Sequence, residues 1–252
     1  SGSYTKVFES INGCDSTVLM HLVYHEKIVD ERDGNEYCTR EYGNQVWMAE
    51  NLRYLPQVDK LKSSTNPKYY VYVYTGTSVS GAKLAVNATI RDTTYQTLGV
   101  LYNWHAAITA CPTGWHLPSS SEWEELFTYI ENTPGFLSDT TSVACSLASQ
   151  EYWAEGYDYN AVGLTPAKNN SSEFNGKPGG YCLINGAESA TLQASSFQKI
   201  TEQANWWTST EESTAAYRIM FSNTSNIYDN STIATHRAFS VRCVKDSDQE
   251  GD

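Results

Sequence analysis

The chain has 252 residues, enough for one large domain or for one domain and a fragment of another. Its formal net charge is −12, and an acidic surface repels phosphate backbones, so the composition argues against nucleic-acid binding. Only 18% of the residues are charged while 18 are Tyr, so Asn, Ser, Thr and Tyr must supply much of the surface, as in many secreted β-rich proteins. No apolar run approaches the roughly 20 residues of a membrane span.

The first 28 residues have the pattern of a hairpin. Two strand-like runs in residues 3–25 flank the turn NGCDS, and Asn-Gly is a strong hairpin signal. The stretch resembles the end of the NGCDSTVTLHLTV repeats of surface proteins from Bacteroidetes-type bacteria. That resemblance implies that residues 1–28 are the remnant of an upstream β-repeat or an N-terminal extension.

The next elements are predicted from turn residues and short-range patterns. Asp33-Gly34 and Gly43-Asn44 bracket EYCTREY and QVWMAENL, which predicts a second hairpin. The alternation in YYVYVYTG (69–76) predicts a strand. The apolar stretch LYNWHAAI (101–108) predicts a short buried helix or helical turn.

One helix is predicted with both its cap and its buried face. In SSSEWEELFTYIE (119–131), Ser119 as N-cap places Glu122 at the third helical position, which is a capping box. The apolar residues fall at i, i+3, i+4 and i+7 and so form one face. They are Trp123, Leu126, Phe127 and Ile130. Glutamates 122, 124 and 125 fit cap, dipole and solvent roles.

Residues 205–244 read as a β-meander. RIMFS alternates, SNTS and DNST look like turns, and RAFSVRCV reads as the last strand. Trp206 and Trp207 could stack on a sugar, although packing in the core is the favoured interpretation.

Several catalytic patterns fit poorly. His21 and His25 lie on a strand, where four residues span roughly 13 Å, too far for one metal. His105, His116 and His236 are isolated, and no G-x-S-x-G elbow is present. Six cysteines occur without a C-x-x-C pair, which argues against zinc. Their even number favours disulfides and an oxidising compartment, with free buried thiols as the alternative.

Two pairs of residues are candidates for calcium ligands. Asp229-Asn230 and Glu211-Glu212 could offer oxygen ligands. The Glu-Pro-Asn, Gln-Pro-Asp and Trp-Asn-Asp signatures of calcium-dependent sugar binding do not occur in the sequence. We therefore expect no required cofactor.

Several motifs together resemble the Fibrobacter succinogenes major paralogous domain family. They follow the order of that family: DGNEYCTREYGNQVWMAENLRY, LGVLYNWHAA, CPTGWHLPSSSEWEEL, KPGGY, WWTSTEES and AFSVRC. The resemblance implies a domain over residues 29–246, followed by an acidic tail at 247–252. Residues 55–97 and 136–176 depart from the spacing of the family and look like insertions.

The resemblance also implies a fold. The family is similar to C-type lectin-like domains and to the formylglycine-generating enzyme. We therefore expect an α+β fold with a small twisted antiparallel sheet, about two flanking helices, paired terminal strands and long irregular loops. It also implies a disulfide between Cys111 and Cys243, and it leaves the pairing of Cys14, Cys38, Cys145 and Cys182 open.

The functional expectation is a non-enzymatic recognition or adhesin-type domain at the cell surface or outside the cell, with a protein or glycan as partner. In the family the segment near the C-terminal strands faces the ligand, and here it is rich in short polar residues and Tyr. The residues expected to bind are Arg218, Asn223, Ser225, Asn226, Tyr228 and Asn230. A formylglycine-generating-like enzyme and a structural spacer of an adhesin remain alternatives.

Overall fold

The computed structural model describes residues 2–8, 16–22, 26–63, 65–184, 190–213, 215–235 and 237–247. The described fold is mixed, with mostly antiparallel sheets and few helices. The strands are β1 (Gly2–Phe8), β2 (Ser16–Leu22), β3 (Lys27–Val29), β4 (Glu36–Tyr42), β5 (Gln45–Met48), β6 (Tyr69–Tyr70), β7 (Val86–Asn87), β8 (Asp92–Thr93), β9 (Leu101–Asn103), β10 (Trp115–His116), β11 (Gly179–Leu183), β12 (Phe197–Ile200), β13 (Gln203–Glu212), β14 (Ala215–Ser222), β15 (Asp229–Ala234), β16 (Arg237–Phe239) and β17 (Val244–Lys245). The helices are α1 (Val79–Lys83), α2 (Thr94–Leu98), α3 (Trp104–Ala107), α4 (Ser120–Asn132) and α5 (Val143–Leu147).

The strands form three larger sheets and two isolated pairs. One sheet has the order β10-β17-β5-β4-β3, a second has β12-β11-β16-β9-β6, and a third is the meander β13-β14-β15. β1 pairs with β2, and β7 with β8. None of the described helices is both long and apolar enough to cross a membrane.

Both predicted hairpins are confirmed. β4 and β5 pair antiparallel across the Gly43-Asn44 turn, and Gly43 has a φ of +62°, a backbone conformation that suits glycine. β1 and β2 also pair antiparallel, while the NGCDS turn between them, with Cys14, lies outside the described residues. The last strand returns to the first sheet, where Val244 pairs with Trp47 of β5.

Helix α4 is confirmed with its cap and its buried face. The Ser119 side chain accepts a hydrogen bond from the backbone N–H of Glu122, and the Glu122 side chain accepts one from the backbone N–H of Ser119. All four predicted apolar residues are buried in a core that also holds Trp47 and Trp206. The Trp47 and Trp123 ring centroids lie 4.7 Å apart in an edge-on contact, so the helix docks against the first sheet through aromatic packing.

Three local predictions are wrong. The strand in YYVYVYTG ends at Tyr70, because Val73 has a φ of +65° and the chain turns there. DNST forms the start of β15 rather than a turn, since Asp229 pairs with Met220 and Thr232 with Tyr217.

RAFSVRCV is also not one continuous strand. Arg237–Phe239 belongs to the second sheet and Val244–Lys245 to the first, so the chain crosses between sheets. Residues 238–244 are all buried where the chain crosses between the sheets. Their sequence therefore resembles that of a buried strand, although they do not pair as one continuous strand.

A disulfide joins Cys111 to Cys243 across 132 residues, as the family resemblance implied. It ties the segment before β10 to the residue before β17, and β10 and β17 themselves pair. In the described chain Cys38, Cys145 and Cys182 carry free thiols, and the last two are buried. The even cysteine count therefore did not translate into complete pairing.

Candidate functional site

The six residues expected to bind a ligand lie on β14, on β15 and on the turn between them. Arg218 is held within the sheet: its Nη2 donates to Asp229 Oδ2 at 2.7 Å and its Nη1 to Asn205 Oδ1 at 3.1 Å. Burial lowers the pKa of Arg218, although Asp229 acts in the opposite direction. The guanidinium is thus committed to neighbouring strands.

Tyr228 and Asn230 dock the end of the meander onto α4. The ring centroids of Tyr228 and Phe127 lie 3.9 Å apart, and the Tyr228 hydroxyl donates to Glu124 Oε2 at 3.3 Å. Asn230 Nδ2 donates to Glu124 Oε1 at 2.8 Å. Burial and the nearby Glu124 carboxylate raise the pKa of Tyr228 to about 12, so the phenol stays neutral. The cap, dipole and solvent roles predicted for the three glutamates of α4 therefore omit this contact of Glu124 with the meander.

The turn itself is fastened to a second loop. Asn223 is buried and its Nδ2 donates to the Glu155 carbonyl at 3.1 Å, while its own carbonyl accepts the Gly163 N–H at 3.0 Å. The Ser225 carbonyl accepts the Val162 N–H at 3.2 Å. The two bonds from Gly163 and Val162 join the turn 223–228 to the loop 156–164, and the bond to Glu155 ties the turn to the residue before that loop.

Two glycines allow the loops to approach each other. A Cβ atom on Gly156 would lie 1.9 Å from the Asn223 carbonyl oxygen, and one on Gly163 would lie 2.6 Å from the same oxygen. Real Cβ atoms do not come that close, so both positions require glycine for steric reasons. The two loops form one locked unit, which we call the two-loop surface (residues 156–164 and 223–228).

The two-loop surface exposes large apolar and aromatic side chains. Tyr157 is 79% exposed, Tyr159 is 70% exposed and Ile227 is 70% exposed, and Leu164 is also exposed. Of the six predicted ligand residues, all within the described chain, only Asn226 is exposed, and it adjoins Ile227. Sequence reasoning missed the two tyrosines because they fall in the apparent insertion 136–176. The available signal was the repeated Tyr of EGYDYNAVG between two glycines.

The other candidate groups have intramolecular partners. Both Trp206 and Trp207 are fully buried, and each indole N–H donates to an internal acceptor, Asn51 Oδ1 at 2.9 Å and the Tyr102 carbonyl at 2.8 Å. They belong to the core and do not present a surface for a sugar. Glu211 and Glu212 are exposed at the end of β13. No group of three or more potential ligands for a metal gathers among the described residues.

His116 is held between two carboxylates. Its Nδ1 lies 2.6 Å from Asp246 Oδ1 and its Nε2 lies 2.7 Å from Glu122 Oε1. Burial lowers the pKa of His116, but the two hydrogen bonds and charges outweigh it, and the net pKa is raised. This group links β10, α4 and the residue after β17. His25 and His236 lie outside the described residues.

Comparison of the sequence with models of protein families gives one match. The model of the Fibrobacter succinogenes major domain matches residues 41–245. The chain belongs to this family. The match begins inside β4, and β4 pairs with β3 (Lys27–Val29) as well as with β5, so this sheet includes a strand upstream of the matched residues. No curated protein and no solved structure matches the chain.

Proposed function

We propose that this member of the family is a non-enzymatic recognition domain that binds a protein or glycan ligand through the two-loop surface. The observation that carries the proposal is the exposure of Tyr157, Tyr159 and Ile227 on loops held together by backbone hydrogen bonds. Rigid, amphipathic tyrosines supply contact area at a low cost in conformational entropy. Exposed apolar groups of this size on neighbouring loops are typical of interaction sites.

The fold and the setting are part of the same proposal. We infer a C-type lectin-like arrangement, supported by the pairing of β5 with β17, the single long helix α4 and the long loops. A long-range disulfide supports an extracellular or cell-surface location, because disulfides persist in oxidising compartments. The hairpin β1–β2 fits attachment to a longer adhesin-like chain.

This proposal revises which part of residues 217–236 meets a ligand. Arg218, Asn223, Tyr228 and Asn230 act as supports, because each bonds to the protein itself. Asn226 remains a contact candidate. The support residues hold the turn in one conformation, which favours binding by preorganisation.

A glycan array and a protein-binding screen on intact target cells test the proposal. The variant Tyr157→Ser with Tyr159→Ser should abolish whatever binding the wild-type chain shows. The matched control is Leu84→Ser with Val86→Ser, which removes two side chains of 73% and 61% exposure elsewhere in the chain. Equal binding by wild type and the tyrosine variant, at equal stability, would refute the assigned surface.

The alternatives predict different results. A formylglycine-generating-like enzyme would need a reactive thiol, and Cys38 is the accessible free cysteine among the described residues. Turnover of a cysteine-containing peptide that is lost in Cys38→Ser would favour that alternative. A structural spacer would show no ligand in either screen.

A further inference from the structure

A concave site elsewhere in the fold shares no lining residue with the two-loop surface. It is a cleft of about 410 Å³, within the size range of small-molecule sites. It is lined by Cys38, Arg40, Ala49, Glu50, Asn51, Arg53, Gln96, Thr97, Gly99, Asn170, Glu173, Asn175, Lys177 and Arg242. This lining is polar, unlike the apolar lining of most ligand pockets.

The cleft is cationic in a chain of net charge −12. Arg40 pairs with Glu173 at 2.8 Å, and Arg53 pairs with Glu50. Lys177 and Arg242 also line the cleft, and neither has a carboxylate within ion-pair distance among the described residues. Neither Lys177 nor Arg242 is therefore ion-paired, although the Glu50 carboxylate acts electrostatically on both.

Lys177 lines the cleft and is the less buried of these two cations. It is partly buried, and its Nζ lies 5.2 Å from the centroid of the Tyr152 ring. Burial lowers the pKa of Lys177, although Glu151 and Glu50 act in the opposite direction. A partly desolvated ammonium without a carboxylate partner is stabilised when an anion binds to it.

Arg242 places a second charge behind the cleft. It is 1% exposed, and it donates to neutral acceptors: the carbonyls of Met48 and Phe174, the carbonyl of Asn175 and Asn51 Oδ1. Its buried Nε has no hydrogen-bond partner in the described part of the chain. Burial lowers the pKa of Arg242 to about 9, which leaves it protonated at neutral pH.

The remaining lining suits hydroxyl groups. The side-chain amides of Gln96, Asn170 and Asn175 and the hydroxyl of Thr97 offer both donors and acceptors. A ligand that carries one anionic group and several hydroxyls would match one accessible ammonium and this polar rim.

We propose that the cleft binds a small hydroxylated carboxylate of the sugar-acid class, with Lys177 as the direct partner of the carboxylate. Arg242 adds favourable potential from behind, and the amides of the rim contact the hydroxyls. The site is independent of the two-loop surface, so either assignment can fail without the other.

Isothermal titration calorimetry on the full chain tests the proposal. The probes are D-glucuronate and D-galacturonate, with methyl β-D-glucoside as the neutral ring and inorganic phosphate as the simple anion. We expect saturable binding of a sugar acid, weakened by Lys177→Gln by roughly ten- to a hundredfold or slightly more, because a hydrogen bond to a charged group contributes about 1.5–3 kcal/mol and each 1.4 kcal/mol is a factor of ten. Gln96→Glu, which adds a negative charge at the exposed rim, should weaken it similarly.

The matched control is Lys60→Gln, which removes one exposed positive charge outside the cleft and should leave affinity unchanged. Arg242 is not substituted, because its removal would leave buried carbonyl oxygens without their hydrogen-bond donor. A second readout is alkylation of Cys38, which lines the cleft and should be slowed by bound sugar acid, measured by mass spectrometry of its peptide.

Four results of the titrations would overturn the proposal, and a fifth would come from the alkylation. The four are no saturable binding of either sugar acid, equal affinity in Lys177→Gln, equal affinity for the neutral glucoside, and equal affinity for phosphate. The last result would reduce the site to a simple anion site. Unchanged alkylation of Cys38 at saturating sugar acid would place any binding elsewhere.

Discussion

Substituting Gly156 by Ala should separate the two loops that form the candidate ligand surface. The added Cβ would lie 1.9 Å from the Asn223 carbonyl oxygen and 3.2 Å from Gly163 Cα. Neither neighbour is a flexible side chain, so the backbone must move by about 1 Å or more to restore ordinary contact distances. The φ of Gly156 lies outside the left-handed region, so the effect is steric.

The expected magnitude follows from the bonds that such a movement breaks. Three hydrogen bonds join or brace the loops at this point: Gly163 N–H to the Asn223 carbonyl, Val162 N–H to the Ser225 carbonyl, and Gly156 N–H to the Gly163 carbonyl. At about 1 kcal/mol each, their loss lowers the free energy of unfolding by about 2–3 kcal/mol. For a domain of this size that corresponds to a melting temperature lower by roughly 5–10 °C.

Urea denaturation and hydrogen exchange measure the two parts of this prediction. Exchange at the amides of Val162 and Gly163 should accelerate. Gly179→Ala is the matched control: its Cβ would meet Ser240 Oγ at 3.5 Å and Leu98 Cβ at 3.7 Å, ordinary contacts, so stability should hold. A Gly156→Ala variant with wild-type stability and unchanged exchange at both amides would refute the steric argument.

Two further predictions concern the segment around β10. The raised pKa of His116 implies stabilisation that is present below its unfolded pKa of about 6.5 and is lost as the pH rises through the higher folded value. His116→Gln should therefore destabilise the protein more at about pH 5.5 than at about pH 9. The difference should be under about 1 kcal/mol, because Glu122 and Asp246 are partly exposed. Equal destabilisation at both pH values in urea denaturation would contradict this prediction. Replacing Cys111 and Cys243 by Ala removes a crosslink that spans 132 residues and should lower the free energy of unfolding by about 4 kcal/mol. Reductant should have the same effect on the wild-type protein. An unchanged free energy of unfolding in both experiments would show that the crosslink is dispensable.

Local signals predicted the parts of the fold that depend on neighbouring residues. Ser119, Glu122 and the i, i+3, i+4, i+7 apolar face sufficed for α4, because helix caps and faces are set within a few residues. The same holds for the β4–β5 hairpin, where Gly43 supplies the turn. The strand predicted in YYVYVYTG ends at Tyr70, and Val73 adopts a positive φ that the alternation of residue types does not signal.

The candidate sites were mostly beyond such signals. Asn223 and Asn230 are of a residue type common on ligand surfaces, but their side chains donate hydrogen bonds to Glu155 and Glu124. These acceptors lie 68 and 106 residues away in the sequence. Tyr157 gave only a weak local signal within an irregular stretch. The cleft combines Lys177 and Arg242 with residues 38–53, a set that no spacing in the sequence reveals.

By itself, the amino-acid sequence determined the family, the main helix, the hairpins and the acidic, Tyr-rich character, since these depend on residue order and short-range geometry. Only the tertiary structure decided which polar residues support the fold and which face solvent. CPTGWHLPSSSEWEELF illustrates the difference: its capping box is legible in the sequence. The distant partners of Cys111, His116 and Glu124 are Cys243, Asp246 and Asn230, and long-range packing alone brings those segments together.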